Sequence, residues 1–229
     1  MANCITRHIP NTITCCNLLS GCMAVMAALD GNVRCAFLWI IAGAAFDFCD
    51  GLSARLLHAY SPIGKELDSL ADLITFGLAP TLLCMNFLKG IEWNFGSGIM
   101  AYLSLIMTAA AALRLAKFNT DDRQTTSFLG LAVPANALFW CGTVLALQGT
   151  TSPVAGWITV AGIIVFSLLM VSEIPMFSLK FKNLSFKDNA TRYIFLVGAV
   201  AIIALFGMKG SAPAIIWYIL ISLCTFRKK

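Results

Sequence analysis

Long apolar runs dominate this chain and constrain its fold more than any other feature. The 229 residues are 59% hydrophobic and only 12% charged, and the mean hydropathy is +0.83. A soluble domain carries far more charge than this, so the composition indicates an integral membrane protein. The net charge of +5 comes from cations scattered over short loops, which argues against a nucleic-acid partner.

Short polar breaks divide the apolar runs into eight predicted helices. The breaks contain Gly, Pro, Asn and Asp, as at 30–32, 61–62, 149–153 and 207–213. Each helix is long enough to cross, or nearly cross, ~30 Å of hydrocarbon at about 1.5 Å per residue. We therefore predict an all-α integral membrane protein with one membrane-embedded domain spanning 1–229. The predicted helices run at about 12–29, 35–57, 65–89, 97–118, 131–148, 154–172, 191–207 and 211–226.

The cations predict the orientation in the membrane. With both termini in the cytoplasm, thirteen of the sixteen Lys and Arg residues fall on the cytoplasmic side, and only Arg34, Lys89 and Lys209 fall on the other. Such an excess of cations on the cytoplasmic side is the usual arrangement. The sequence thus predicts a multi-pass protein of the cell (inner, or cytoplasmic) membrane, with both termini in the cytoplasm.

Four aspartates lie in or beside the second and third predicted helices. Asp47 and Asp50 are three residues apart, and Asp68 and Asp72 are four apart, so each pair shares a helix face. Ionised groups in a membrane span are costly unless they are paired or metal-bound, which marks them as functional candidates. Four carboxylates form an oxygen cage suited to Mg²⁺ or Mn²⁺, and two divalent ions would balance their charge of about −4.

The acids belong to a longer pattern that resembles a known family signature. The stretch reads D-x2-D-G-x2-A-R-x8-G-x3-D-x3-D from Asp47 to Asp72. It resembles the signature of the CDP-alcohol phosphatidyltransferases, with every fixed position filled. The resemblance implies a six-helix core with two further C-terminal helices, a homodimer, and a reaction at the membrane. In that reaction an alcohol attacks the lipid-side phosphate of CDP-diacylglycerol and CMP is released.

The same resemblance implies roles for individual residues. It makes Asp47, Asp50, Asp68 and Asp72 the ligands of two Mg²⁺ or Mn²⁺ ions, and Asp72 the base for the acceptor hydroxyl. The implied CDP-lipid site consists of Asn11, Thr14, Gly51, Ala54, Arg55 and Ser61. Other interpretations stay open: an interfacial role for Arg55, and helix-capping or packing roles for Asn11 and Thr14.

Four further blocks resemble one branch of the family, the bacterial-type phosphatidylserine synthases. They lie at 9–21, 68–80, 112–119 and 170–180, and they imply L-serine as the acceptor. Arg114 and Lys117 are three apart on one predicted helix and, with Asn119, are candidates to bind the serine carboxylate. Alternatively, the two cations only anchor their helix at the cytoplasmic surface.

Two other functions stay open at this stage. The cations near Arg114 also suit acceptors that carry phosphate, namely glycerol 3-phosphate or an inositol phosphate. A divalent-cation transporter is a hypothesis of a different class, but its binding site would be expected near the middle of the membrane. Several glycines within the spans permit close helix contacts, and no site is assigned to them. These are Gly21, Gly43, Gly98, Gly142 and Gly198.

Overall fold

The computed structural model describes residues 4–93, 97–120, 128–177 and 186–226. These residues are almost entirely helical, which confirms the predicted all-α class. One short antiparallel pairing joins β1 (Phe128–Leu129) to β2 (Pro175–Met176). The helices are α1 (Cys4–Leu29), α2 (Val33–Leu56), α3 (Pro62–Asp72), α4 (Ala79–Lys89), α5 (Ser97–Tyr102), α6 (Leu105–Thr120), α7 (Val133–Ala146), α8 (Pro153–Val171), α9 (Phe186–Phe206) and α10 (Ser211–Phe226).

Six helical stretches within the described residues are long and apolar enough to cross a membrane. The last of them, Asn189–Thr225, contains the 3₁₀ turn Gly207–Gly210, where Gly207 has a φ of +58°. The turn folds α10 back on α9, so that the ring of Trp217 lies against Gly198. The two C-terminal helices predicted from the sequence are therefore present as a hairpin.

The fifth predicted helix is shorter than expected. Residues 131–148 were expected to be helical, but α7 has 14 residues and spans about 21 Å. The helix begins after Ala132, whose backbone is extended with ψ of 140°, and Pro134 in its first turn is tolerated there because a backbone N–H at that position would have no partner in the helix. Soon after its end, Gly149 adopts a φ of +87°, which a helix does not permit.

Two other predicted boundaries are wrong. Helix α1 begins at Cys4 and continues through Pro10, whereas the prediction placed its start at residue 12. Asn11 consequently lies inside the helix and does not cap it. The predicted fourth helix is interrupted at 103–104 between α5 and α6, where the Ser104 hydroxyl donates a hydrogen bond to the Ala101 carbonyl at 2.7 Å.

Helices α3 and α4 form one continuous rod because a π-helical turn, Leu73–Leu78, joins them. Thr75 in this turn is fully buried and is wedged between Gly21 of α1 and Gly43 of α2. Its hydroxyl donates a hydrogen bond to the Asn17 carbonyl at 3.1 Å. The absence of a β-carbon at both glycines allows this contact, which fixes the first three passes relative to one another.

Contacts bring two of the described cations, Lys65 and Lys117, to one end of the bundle, whereas the orientation of that end in the membrane stays a prediction. Lys65 at the start of α3 donates a hydrogen bond to the Asn119 carbonyl at the end of α6, at 2.7 Å. Lys117 on α6 reaches the carbonyl of Val171, the last residue of α8, at 3.3 Å.

Several cations counted in the orientation argument fall outside the described residues. They are Arg123, Lys180, Lys182, Arg227, Lys228 and Lys229. Residues 178–180, the end of the 170–180 block that resembles the phosphatidylserine synthases, also lie outside the described residues.

Candidate metal and CDP-lipid site

A tight helical connection brings the two pairs of acids together. Helix α2 ends at Leu56, and α3 begins only six residues later at Pro62. Ser61 is the N-cap of α3: its backbone is extended, and its hydroxyl oxygen accepts a hydrogen bond from the Gly64 N–H at 3.0 Å. Proline at the first helical position also favours this start. The acids of α2 and α3 therefore lie near the same end of the helical bundle.

Three of the predicted metal ligands form a compact group. Carboxylate oxygens of Asp47, Asp50 and Asp68 all lie within 4.8 Å of one another. Asp50 is 4% exposed, and its Oδ2 has no hydrogen-bond partner among the described residues; the same holds for Oδ1 of Asp68. Buried oxygens without partners carry a large desolvation penalty, which a bound cation would offset. The group therefore fits a hard divalent cation such as Mg²⁺ or Mn²⁺.

Asp72 lies beside this group, one helical turn beyond Asp68. It interacts electrostatically with Asp47, Asp50 and Asp68 but is not among the three whose oxygens cluster. Its Oδ1 accepts a hydrogen bond from the side-chain amide of Asn17 on α1, at 3.1 Å. The oxygens of three of the four predicted ligands thus cluster, while metal binding by the four aspartates and the base role of Asp72 stay predictions.

A cavity of about 210 Å³ opens beside the acids. Five of the six residues predicted to bind the CDP-lipid line it, although they come from three different segments of the chain. These are Asn11, Thr14, Gly51, Ala54 and Ser61, together with the acids Asp50 and Asp68. The sixth, Arg55, is exposed and does not line this cavity; its Nε donates to the Gly51 carbonyl at 3.0 Å. The arrangement gives a charged head group space next to the metal ligands.

The cavity is also lined by residues that the sequence interpretation did not assign to the site. Lys65, Tyr60, Ala59 and Pro10 line it, as does Gly64 of the motif. Lys65 places a positive charge at the edge of a strongly acidic pocket. One signal was available, because Lys65 precedes Asp68 by three residues on one helix, a spacing at which side chains are neighbours.

The three predicted acceptor-binding residues lie in different environments. Arg114 is 7% exposed, its Nε lacks a hydrogen-bond partner among the described residues, and it interacts electrostatically with Asp72. Lys117 is exposed and bonds to the end of α8, as described above. Asn119 donates its amide to the Ser69 hydroxyl at 2.9 Å. Of the three, only Arg114 presents an unused donor to the interior near the acids.

The sequence resembles characterised proteins over most of its length. The family model of the CDP-alcohol phosphatidyltransferases matches residues 7–169. A CDP-diacylglycerol–serine O-phosphatidyltransferase of Bacillus subtilis is 36% identical over 169 residues, covering 73% of this chain and 89% of that protein. Enzymes of the same name from Helicobacter pylori and Mycobacterium tuberculosis are each 34% identical. The match covers 72% of this chain and 70% of the former protein, and 73% of this chain and 60% of the latter.

Proposed function

Because the chain belongs to the CDP-alcohol phosphatidyltransferase family, we propose that it transfers a phosphatidyl group from CDP-diacylglycerol to the hydroxyl of L-serine. The products are phosphatidylserine and CMP. The observation that carries the transfer chemistry is the group of three clustered carboxylates next to a cavity lined by the predicted CDP-lipid residues. The names of the relatives support serine as the acceptor.

The acid group is proposed to hold the divalent cations, with Asp47, Asp50, Asp68 and Asp72 as ligands. When bound, such ions stabilise negative charge on the attacking and leaving oxygens at phosphorus. The protein itself supplies the positions of the reactants. Gly51 and Ala54 leave space beside the acids for the head group, and Asn11 and Thr14 face the same cavity from α1.

The proposed reaction is a displacement at the phosphorus atom that carries the diacylglycerol. The serine hydroxyl oxygen forms a new bond to this phosphorus while the bond to the CMP oxygen breaks. The hydroxyl proton passes to the carboxylate of Asp72, and the electron pair of the broken bond leaves with CMP. Asp72 suits this role because it borders the acid group and has only one oxygen held by the hydrogen bond from Asn17.

Arg114 is the proposed anchor for the serine carboxylate. A guanidinium binds a carboxylate through two parallel hydrogen bonds, and Arg114 has an unused buried donor. Lys117 and Asn119 are weaker candidates for binding the serine carboxylate, because their side chains already donate hydrogen bonds. Lys117 donates to the Val171 carbonyl, and Asn119 donates to the Ser69 hydroxyl.

The proposal extends to the setting of the enzyme. The protein lies in the inner, or cytoplasmic, membrane with its site at the cytoplasmic ends of α2 and α3, where a water-soluble acceptor meets a lipid donor. The whole chain is proposed to form one domain, since Ser211 at the start of α10 donates a hydrogen bond to the Leu138 carbonyl of α7 at 2.8 Å. A homodimer is the proposed assembly, on the family resemblance alone.

The test offers purified protein CDP-diacylglycerol with Mn²⁺ or Mg²⁺ and one acceptor at a time. L-Serine, glycerol 3-phosphate and inositol phosphate are compared by CMP release and by mass spectrometry of the lipid product. We expect release only with serine. Release with another acceptor alone would overturn the serine assignment while keeping the transfer chemistry. Transport of Mn²⁺ into vesicles without cleavage of any CDP-lipid would overturn both.

A further inference from the structure

The polar contact between α1 and the acid-bearing rod involves a residue with no assigned role. Asn17 lies on α1 and is fully buried. Its amide Nδ2 is 3.1 Å from Oδ1 of Asp72, 55 residues further along the chain. An ionised carboxylate can only accept hydrogen bonds, so the amide must present its NH₂ group to Asp72.

The position of Asn17 is itself determined by its surroundings. The Asn17 carbonyl accepts the hydrogen bond from Thr75, three residues beyond Asp72 on the same rod. The side-chain oxygen of Asn17 lies close to Gly43 of α2, because a β-carbon built on Gly43 would be 3.0 Å from this oxygen. Two hydrogen bonds therefore fix α1 against the rod at the position of Asp72. The Asn17 side chain donates one to Asp72, and the Thr75 side chain donates the other to the Asn17 carbonyl.

We propose that Asn17 is a positioning residue for the reaction: it holds one carboxylate oxygen of Asp72, so that the other faces the acid group and the acceptor hydroxyl. This inference rests on the proposed function, in which Asp72 takes the hydroxyl proton. Asn17 does not touch the substrate. It acts by restricting the rotation of a carboxylate that packing alone would leave free to turn about its χ2 bond.

The experiment compares Asn17→Ala with a matched variant, Asn86→Ala. Asn86 also joins the rod to α1, donating to the Ala28 carbonyl at 2.6 Å, but at the opposite end of the bundle. Loss of a hydrogen bond to a charged group changes rates by roughly 10- to 100-fold if the bond acts on the transition state. We expect Asn17→Ala to lower kcat by that factor and to leave the KM for CDP-diacylglycerol within about twofold. Asn86→Ala should keep kcat within about twofold.

A second measurement separates positioning from structural damage. Mn²⁺ binding, followed by electron paramagnetic resonance, should stay within about threefold of wild type in Asn17→Ala, because Asp47, Asp50 and Asp68 remain. If Asn17→Ala does not fold, the nearly isosteric Asn17→Asp replaces it and is expected to lose kcat at least as strongly, since it removes the donor. A kcat within twofold of wild type in a folded variant would overturn the inference, as would a kcat loss equal to that of Asn86→Ala. Wild-type protein that releases no CMP would instead refute the proposed function.

Discussion

Adding one methyl group at Gly43 tests how closely the packing of the first three passes is tied to the site. In Gly43→Ala the new β-carbon would overlap the Thr75 methyl group and lie 3.0 Å from the Asn17 side-chain oxygen. Thr75 cannot retreat, because its backbone lies 2.9 Å from where a β-carbon on Gly21 would be. Overpacking of this kind costs about 3 kcal/mol at the upper end of its range. The gain in helix propensity offsets about 1 kcal/mol, which leaves a net loss of about 2 kcal/mol.

The matched control is Gly98→Ala, because no atom lies within 4 Å of a β-carbon added there. Gly98→Ala should gain only the roughly 1 kcal/mol that comes from the higher helix propensity of alanine. The free energies of unfolding of the two variants should therefore differ by about 3 kcal/mol. For a chain of this size that corresponds to a difference of about 6–12 °C in unfolding temperature, measured in detergent by the loss of the monodisperse peak after heating. Gly43 also precedes Asp47 by one helical turn, so CMP release should fall in Gly43→Ala and not in Gly98→Ala. Equal unfolding temperatures for the two variants would refute the reasoning.

Four further outcomes are expected. Asp68→Asn should lower CMP release at least roughly 100-fold and weaken Mn²⁺ binding, because it removes one of the three clustered carboxylates; unchanged binding would place the ion elsewhere. Removal of divalent ions with a chelator should abolish wild-type activity, and added Mg²⁺ or Mn²⁺ should restore it. Ser61→Ala should cost about 1 kcal/mol of stability through loss of the N-cap, whereas Ser61→Thr should keep most of it; equal unfolding temperatures for the pair would contradict the capping role. Tyr218→Phe should cost about 1 kcal/mol, because its hydroxyl donates to the Phe177 carbonyl at 2.9 Å, and its kcat should match that of wild type.

The sequence was informative where chemistry follows from spacing along one helix. Asp47 and Asp50 lie on the same face of α2, and Ser61 lies at the short connection, where it caps α3. Asn11 and Thr14 line the same cavity as the motif residues, and their binding role stays a prediction. These features depend on helical periodicity and on a tight turn, which local sequence encodes strongly.

Features that depend on tertiary packing were missed. Spacing alone placed Arg114 and Lys117 together, but a separation of three residues leaves them about 60° apart around the helix. That angle is enough to bury one and to leave the other exposed at the end of α8. Likewise, nothing local to Asn17 indicates a partner 55 residues away, and the start of α7 depends on backbone geometry before Pro134.

The π-helical turn after Asp72 has a consequence for how the rod can change. A π turn holds one more residue than an α turn, so it advances the phase of everything that follows by about 100°. The π turn therefore sets the direction in which the buried face of α4 points relative to the acids on α3, and that direction differs from the one an uninterrupted α-helix would give. Deleting a single residue between Leu73 and Leu78 would re-phase the halves, and either the carboxylates or the buried face of α4 would then point the wrong way.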